Sequence, residues 1–188
     1  MARRRSERAD RTELECFVLG LIWQRGWCSP YDVRAHMARS PSTQWSASAG
    51  AIYPLVRRLE REGLLASRVA STGRRLRREY QVTAGGVRTL RRWLGPPLPA
   101  EAVTVSYDPL RSRARFLGVL ASAERAAWID AALQALDAVA AQVRAWHEEF
   151  GAGGDVYLEL LTRSGEIDVE GRRRWLEVLR LRLGEALE

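Results

Sequence analysis

Residues 46–65 read SASAGAIYPLVRRLEREGLL, and residues 66–94 continue ASRVASTGRRLRREYQVTAGGVRTLRRWL. In the first stretch Ile52, Leu55, Val56 and Leu59 recur at i, i+3, i+4 and i+7, one stripe of a helix. A helix from Ser48 to Glu62, closed by Gly63, would carry that stripe. The opposite face gathers Gly50, Tyr53, Pro54, Arg57 and Arg61 and carries no carboxylate, with Glu60 and Glu62 at its flanks. A solvated helix face ordinarily mixes acids with bases, so guanidiniums and a phenol segregated in this way call for a polyanion. Pro54 sits awkwardly in a helix that starts at Ser48, since an interior proline removes a backbone donor at a cost of about 3 kcal/mol. Breaking a local rule in this way is a mark of functional sites. The residues taken alone start the helix at Tyr53 instead.

In the second stretch, Leu64–Ala70 and Arg77–Val82 are strand-like, joined by a Ser-Thr-Gly-Arg turn, and Thr83 caps a helix that ends near Leu94. A helix running into a basic hairpin is the pattern of a winged-helix DNA-binding domain. Upstream, a helix over 13–25 turns Leu14, Phe17, Val18, Leu21 and Ile22 inward, with Cys16 among them. The Ser29-Pro30 pair starts a second helix that runs to about Arg39. SPSTQW (40–45) reads as a loop. The organisation expected is a basic arm over 1–12, a winged helix-turn-helix over 13–94, a linker over 95–107 opened by GPPLP, and a helical domain over 108–188. The fold class is mainly α with a small β-wing.

All 30 basic residues are arginine. A GC-rich coding bias accounts for that, but every basic contact is then a planar fork suited to phosphates and guanine edges. Residues 1–95 hold 19 Arg against 8 acids, whereas residues 96–188 hold 11 Arg against 15 acids. The first half therefore suits an anionic polymer and the second half does not. Cys16 and Cys28 are too few for a disulfide framework. With no run of 18 apolar residues, the chain is expected to be cytoplasmic and free of membrane.

In the second half, Asp108-Pro109 starts a helix that runs to about Ala121, Ser122 caps a long one to Phe150, and GAGGD turns the chain. The rest is helical, with a break expected near Gly165. On the long helix Ile129, Leu136, Val143 and Phe150 lie seven apart, with Ala132, Val139 and Trp146 between them. This seam suits a dimer interface, or packing within the chain. Seven of the fifteen aromatic residues are Trp. Trp23, Trp93, Trp128 and Trp146 are candidates to line a site for a small planar aromatic or cationic effector, although Trp is also a good core filler. His36 and His147 each stand alone, and no metal-spaced cluster or catalytic motif occurs, so neither an enzyme nor a cofactor is expected. The rival reading is a general nucleic-acid or chromosome-coating protein without effector, against which the acidic second half counts.

These motifs resemble the PadR family of bacterial transcriptional regulators, in its larger form with an added helical domain. FVLGLIW, PYDV, SAGAIYPLVRRLEREGLL, GRR and TAGG carry the resemblance over 13–94, and it weakens beyond. It implies a homodimeric repressor on a pseudo-palindromic double-stranded operator, released by a small molecule or other cue. It places Ser48, Gly50 and Tyr53 at the DNA-facing start of the recognition helix, and Arg74 and Arg75 in the wing. Arg57 and Arg61, one turn apart, and Arg77 complete the expected DNA contacts. The chain departs from the family pattern at Pro30, at Ala51 and in the wing, where Glu79 replaces an aromatic.

Overall fold

A computed structural model describes residues 11–72, 75–104 and 107–185. The chain divides into two compact units, Met1–Thr104 and Val105–Glu188.

The first unit begins with α1 (Glu13–Arg25) and α2 (Pro30–Ala38), both opened by reciprocal caps. Glu15 N–H donates to Thr12 Oγ1 (3.2 Å) while Thr12 N–H donates to Glu15 Oε2 (2.8 Å). Ser29 and Asp32 repeat the device at 2.8 and 3.3 Å. Next comes α3 (Thr43–Ser48), where a loop was expected. Its reason is tertiary, because Trp45 stacks on Phe17 of α1 with ring centroids 4.0 Å apart.

A 3-10 turn (Ala49–Ala51) leads into α4 (Ile52–Arg61), so the recognition helix starts four residues later than the Ser48 expected. Pro54 therefore falls in the first turn, where backbone N–H groups have no partner within the helix, and it costs α4 no hydrogen bond. Gly63, at φ +72°, ends the helix. Gly63 N–H donates to Glu60 O (2.9 Å) and Leu64 N–H to Leu59 O (3.0 Å), which returns the chain toward the hairpin.

Strands β1 (Leu65–Thr72) and β2 (Arg75–Val82) pair antiparallel with Arg68 opposite Glu79, and they run longer than expected. Cys28 exchanges both backbone hydrogen bonds with Tyr80 and ties the α1–α2 connection to the wing. Thr83 caps α5 (Ala84–Leu94) by accepting from Gly86 N–H (3.1 Å). Gly86 is required there, since a Cβ would lie 2.4 Å from Leu64 O. Val18, Leu19 and Ile22 of α1, Val33 and Met37 of α2, Ile52, Val56 and Leu59 of α4, and Leu65, Tyr80 and Leu90 close one core. A single turn, α6 (Ala100–Val103), falls inside the stretch expected to be linker.

The second unit starts with α7 (Pro109–Ala114), which ends earlier than expected. Asp108 caps it by accepting from Leu110 N–H (2.8 Å). The hairpin of α8 (Ser122–Phe150) and α9 (Val156–Glu185) follows, turned by Gly151–Gly153 and by Gly154 at φ +80°. The cap of α8 is Ala121, not Ser122; its N–H donates to Glu124 (2.7 Å). α9 is unbroken at Gly165. A Cβ there would lie 3.2 Å from Val143 Cγ1, so the glycine admits α8 rather than ending α9. Leu117, Ile129, Leu136, Ala140, Val143 and Leu176 are buried in this unit. Arg173 reaches Asp137 (2.5 Å) and Arg180 pairs with Asp130 across the hairpin.

Candidate nucleic-acid interface

The stripe that buries Ile52, Leu55, Val56 and Leu59 forces the other side of α4 outward. Arg58 turns toward α1 and donates to the buried Glu15 (2.7 Å), which fixes the helix on its scaffold. Burial raises the carboxyl pKa of Glu15, but the Thr12 hydrogen bond and the charges of Arg58 and Arg11 hold it below the ordinary value. Arg57 and Arg61 are exposed, and neither has a carboxylate partner among the described residues.

These two arginines line a cleft of about 920 Å³ with Tyr31, Tyr53, Leu76, Arg77 and Arg78. Its walls are the start of α2, the outer face of α4 and the outgoing strand of the wing. The structure thus brings Tyr53, Arg57, Arg61 and Arg77 together. Gly50 is exposed and open around its Cα. Ser48 is half-buried and donates its hydroxyl to Gln44 O (2.7 Å), so that donor is engaged locally. Arg74 and the side chain of Arg75 lie outside the described residues, as does the arm over 1–10.

Sequence reasoning missed Tyr31 and Arg78. Tyr31 stands in PYDV two residues after the cap of α2, and its exposure became visible only in the fold. Arg78 lies 3.7 Å from Glu60, which also accepts from Ser67 (2.5 Å), so the wing and α4 are joined. Glu79, an oddity in the sequence, is 4% exposed. Hydrogen bonds from Arg68 and Arg77 hold its carboxyl below the usual range.

The other expected residues fare differently. Ile129 (2% exposed), Leu136 and Val143 (6%) are buried within this one chain, and Phe150 is half-buried against Trp146 with centroids 4.2 Å apart. Ile129, Leu136 and Val143 of the seam expected between subunits are thus covered inside the hairpin, while Val139 stays 38% exposed. Large apolar side chains stand exposed elsewhere, on α9 at Tyr157, Leu160, Ile167, Val178 and Leu181. In the first unit Trp23 is exposed, and Trp93 donates its indole N–H to Glu13 (3.0 Å). Trp128 and Trp146 are half-buried in the second unit. His147 is bonded to the buried Thr162 (2.7 Å) and belongs to the hairpin turn. Burial pushes the thiols of Cys16 and Cys28 up to about 11, away from nucleophilic use. Among the described residues no cluster of three or more His, Cys, Asp or Glu could hold a metal, and no helix is long and apolar enough to cross a membrane.

Two capped helices, a third with an arginine face and a two-stranded hairpin beside it define a winged-helix protein with a helical second unit. Residues 18–92 match the transcriptional regulator PadR-like family. The chain is 28% identical over 145 residues to the negative transcriptional regulator PadR of Bacillus subtilis (strain 168), covering 76% of this chain and 77% of that one. The crystal structure of Bacillus subtilis PadR in complex with operator DNA superposes with a TM-score of 0.74 at 24% identity, over 89% of this chain and 98% of the other. Its complex with p-coumaric acid gives 0.73 at 22% identity, over 91% and 95%. Residues 18–92 carry a PadR-like domain, and over most of its length the chain is similar to PadR-like transcriptional regulators.

Proposed function

We propose that the chain is a homodimeric repressor that binds a pseudo-palindromic double-stranded operator in the cytoplasm and is released by a small effector. The observation that carries the DNA reading is the cleft in which Arg57 and Arg61, without carboxylate partners among the described residues, stand beside Arg77, Arg78 and three tyrosines, with Glu60 the one acid in its lining. In this reading Tyr53, Arg57 and Arg61 face the major groove, with Ser48 and Gly50 at the leading turn. Arg74, Arg75 and Arg77 serve the flanking backbone. The relative crystallised on operator DNA supports it, as does the name negative transcriptional regulator.

The second copy docks on α9. Tyr157, Leu160, Ser164, Ile167, Gly171, Arg174, Val178 and Leu181 follow one another at three- and four-residue steps, the repeat by which two identical helices pack. Small residues at Ser164 and Gly171 allow close approach, and a Cβ at Gly171 would meet nothing within 4 Å in the single chain. A planar aromatic effector is supported by the relative bound to p-coumaric acid, with Trp23, Trp93, Trp128 and Trp146 as its candidate partners.

The test is competition binding of the intact chain to the DNA upstream of its own gene. An operator preference of about a thousandfold over random duplex is expected. Equal affinity for both would favour the general nucleic-acid-binding reading instead.

A further inference from the structure

We propose that Glu79 is a positioning residue for DNA recognition: from inside the wing its carboxylate holds one edge of the Arg77 guanidinium and leaves the other edge for a backbone phosphate. The inference rests on the cleft being the DNA surface. Glu79 lies opposite Arg68 in the hairpin and two residues after Arg77, which puts all three side chains on one face of the sheet.

The carboxylate is divided between the two arginines. Oε2 accepts from Arg68 Nε (3.0 Å) and Nη2 (2.8 Å). Oε1 accepts from Arg77 Nε (3.0 Å) and lies 2.7 Å from Arg77 Nη2. Arg68 is itself fixed, because its guanidinium sits 4.4 Å from the centroid of the Trp27 ring. The orientation of the carboxylate is thus set by Trp27 and Arg68 before Arg77 is considered.

A guanidinium has five N–H donors. Glu79 engages Arg77 along the Nε–Nη2 edge, which leaves the Nη1 edge of a side chain that lines the cleft beside Tyr53, Arg57 and Arg61. Two parallel donors on a held plane match a phosphate better than a free, rotating arginine does. Charge counting argues the other way. An acid beside a polyanion is repelled, so an uncharged residue at 79 should bind DNA more tightly if charge were the whole effect. The two accounts therefore differ in sign.

The experiment is fluorescence anisotropy of the intact chain on duplex from its own upstream region, across a salt series. Glu79→Gln is expected to weaken binding about tenfold although net charge rises by one, and Arg77→Ala to weaken it by a similar factor and lower the salt slope by about one. In an Arg77→Ala background Glu79→Gln should change nothing further. Arg77→Lys leaves Glu79 and the strand in place but cannot be held edge-on, so it should lose nearly as much as Arg77→Ala; this variant decides the matter if Glu79→Gln fails to fold. Binding by Glu79→Gln equal to or tighter than wild type overturns the proposal. So does an equal loss with Arg77 already absent, or full affinity in Arg77→Lys. A wild-type chain that binds no duplex would instead overturn the DNA reading on which the proposal stands.

Discussion

In the winged-helix unit, four helices and a hairpin surround one cluster running from Val18 to Leu90, and the main apolar stripe of each helix in it is covered within the same chain. In the helical unit, α8 and α9 bury Ile129, Leu136, Ala140, Val143 and Leu176 but leave Ile167 64% and Leu181 61% exposed. The difference is geometric. Several elements can enclose a core, whereas two long helices can cover only one stripe of each other, and α9 carries two. The first unit gathers an arginine face on α4 among scattered exposed apolar side chains such as Val69 and Leu76, whereas α9 carries a continuous row of them. On this account the first is complete as a reading head and the second is completed by another copy.

The largest effect should come from closing the open unit to its partner. Ile167→Glu with Leu181→Glu should yield folded monomers whose operator affinity drops about a thousandfold, because two linked half-site contacts become one. Helical content by circular dichroism and mass by light scattering would check the variant, and a persistent dimer would place the interface elsewhere. Next is the reading head, where Arg57→Ala with Arg61→Ala should cost about a hundredfold in operator affinity with the mass unchanged. Undiminished binding in that variant would remove α4 from the DNA surface.

Smaller effects bear on the closed core. Gly86→Ala should destabilise the winged helix by about 2 kcal/mol, since α5 must move off the hairpin root. Thermal unfolding of the isolated variant against wild type would read this, and an unchanged midpoint would contradict it.

The smallest concerns pH. Burial, with Arg25 and Arg39 nearby, lowers His36 from 6.5 to about 4, and its Nδ1 accepts from Arg25 (3.1 Å). The unfolded chain therefore binds a proton that the folded one refuses. Stability should be full above pH 6.5 and fall as pH drops toward 4, by about 1 kcal/mol at pH 5.5. The depressed carboxyls of Glu15 and Asp32 act below that window, because their contribution is lost only as pH falls beneath the unfolded carboxylate range. His36→Gln should flatten the slope between pH 6.5 and 5.5 measured by chemical denaturation.

Local chemistry was legible in the residues. The ends of α1, the Ser29 and Thr83 caps, the Gly63 stop and the arginine face of α4 all follow from rules that act within one or two turns. What the residues hid depended on contacts far apart in the chain. The helix α3 exists because Trp45 meets Phe17, and α9 passes Gly165 because Val143 fills that space. The start of α4 was misplaced for another reason, as family likeness drew it to Ser48 while Pro54 read by itself pointed to Tyr53, next to the observed Ile52. The heptads on α8 were seen correctly as a stripe, but periodicity does not say whether the covering helix belongs to the same chain. Glu79 looked out of place until its two arginines were seen around it.

The claim that the helical unit is completed by a second copy is tested most directly by the mass of the wild-type chain in solution. Light scattering at micromolar concentration should give twice the 21.2 kDa of one chain. A mass of 21.2 kDa under the same conditions would contradict the account, leaving the exposed row on α9 without its partner.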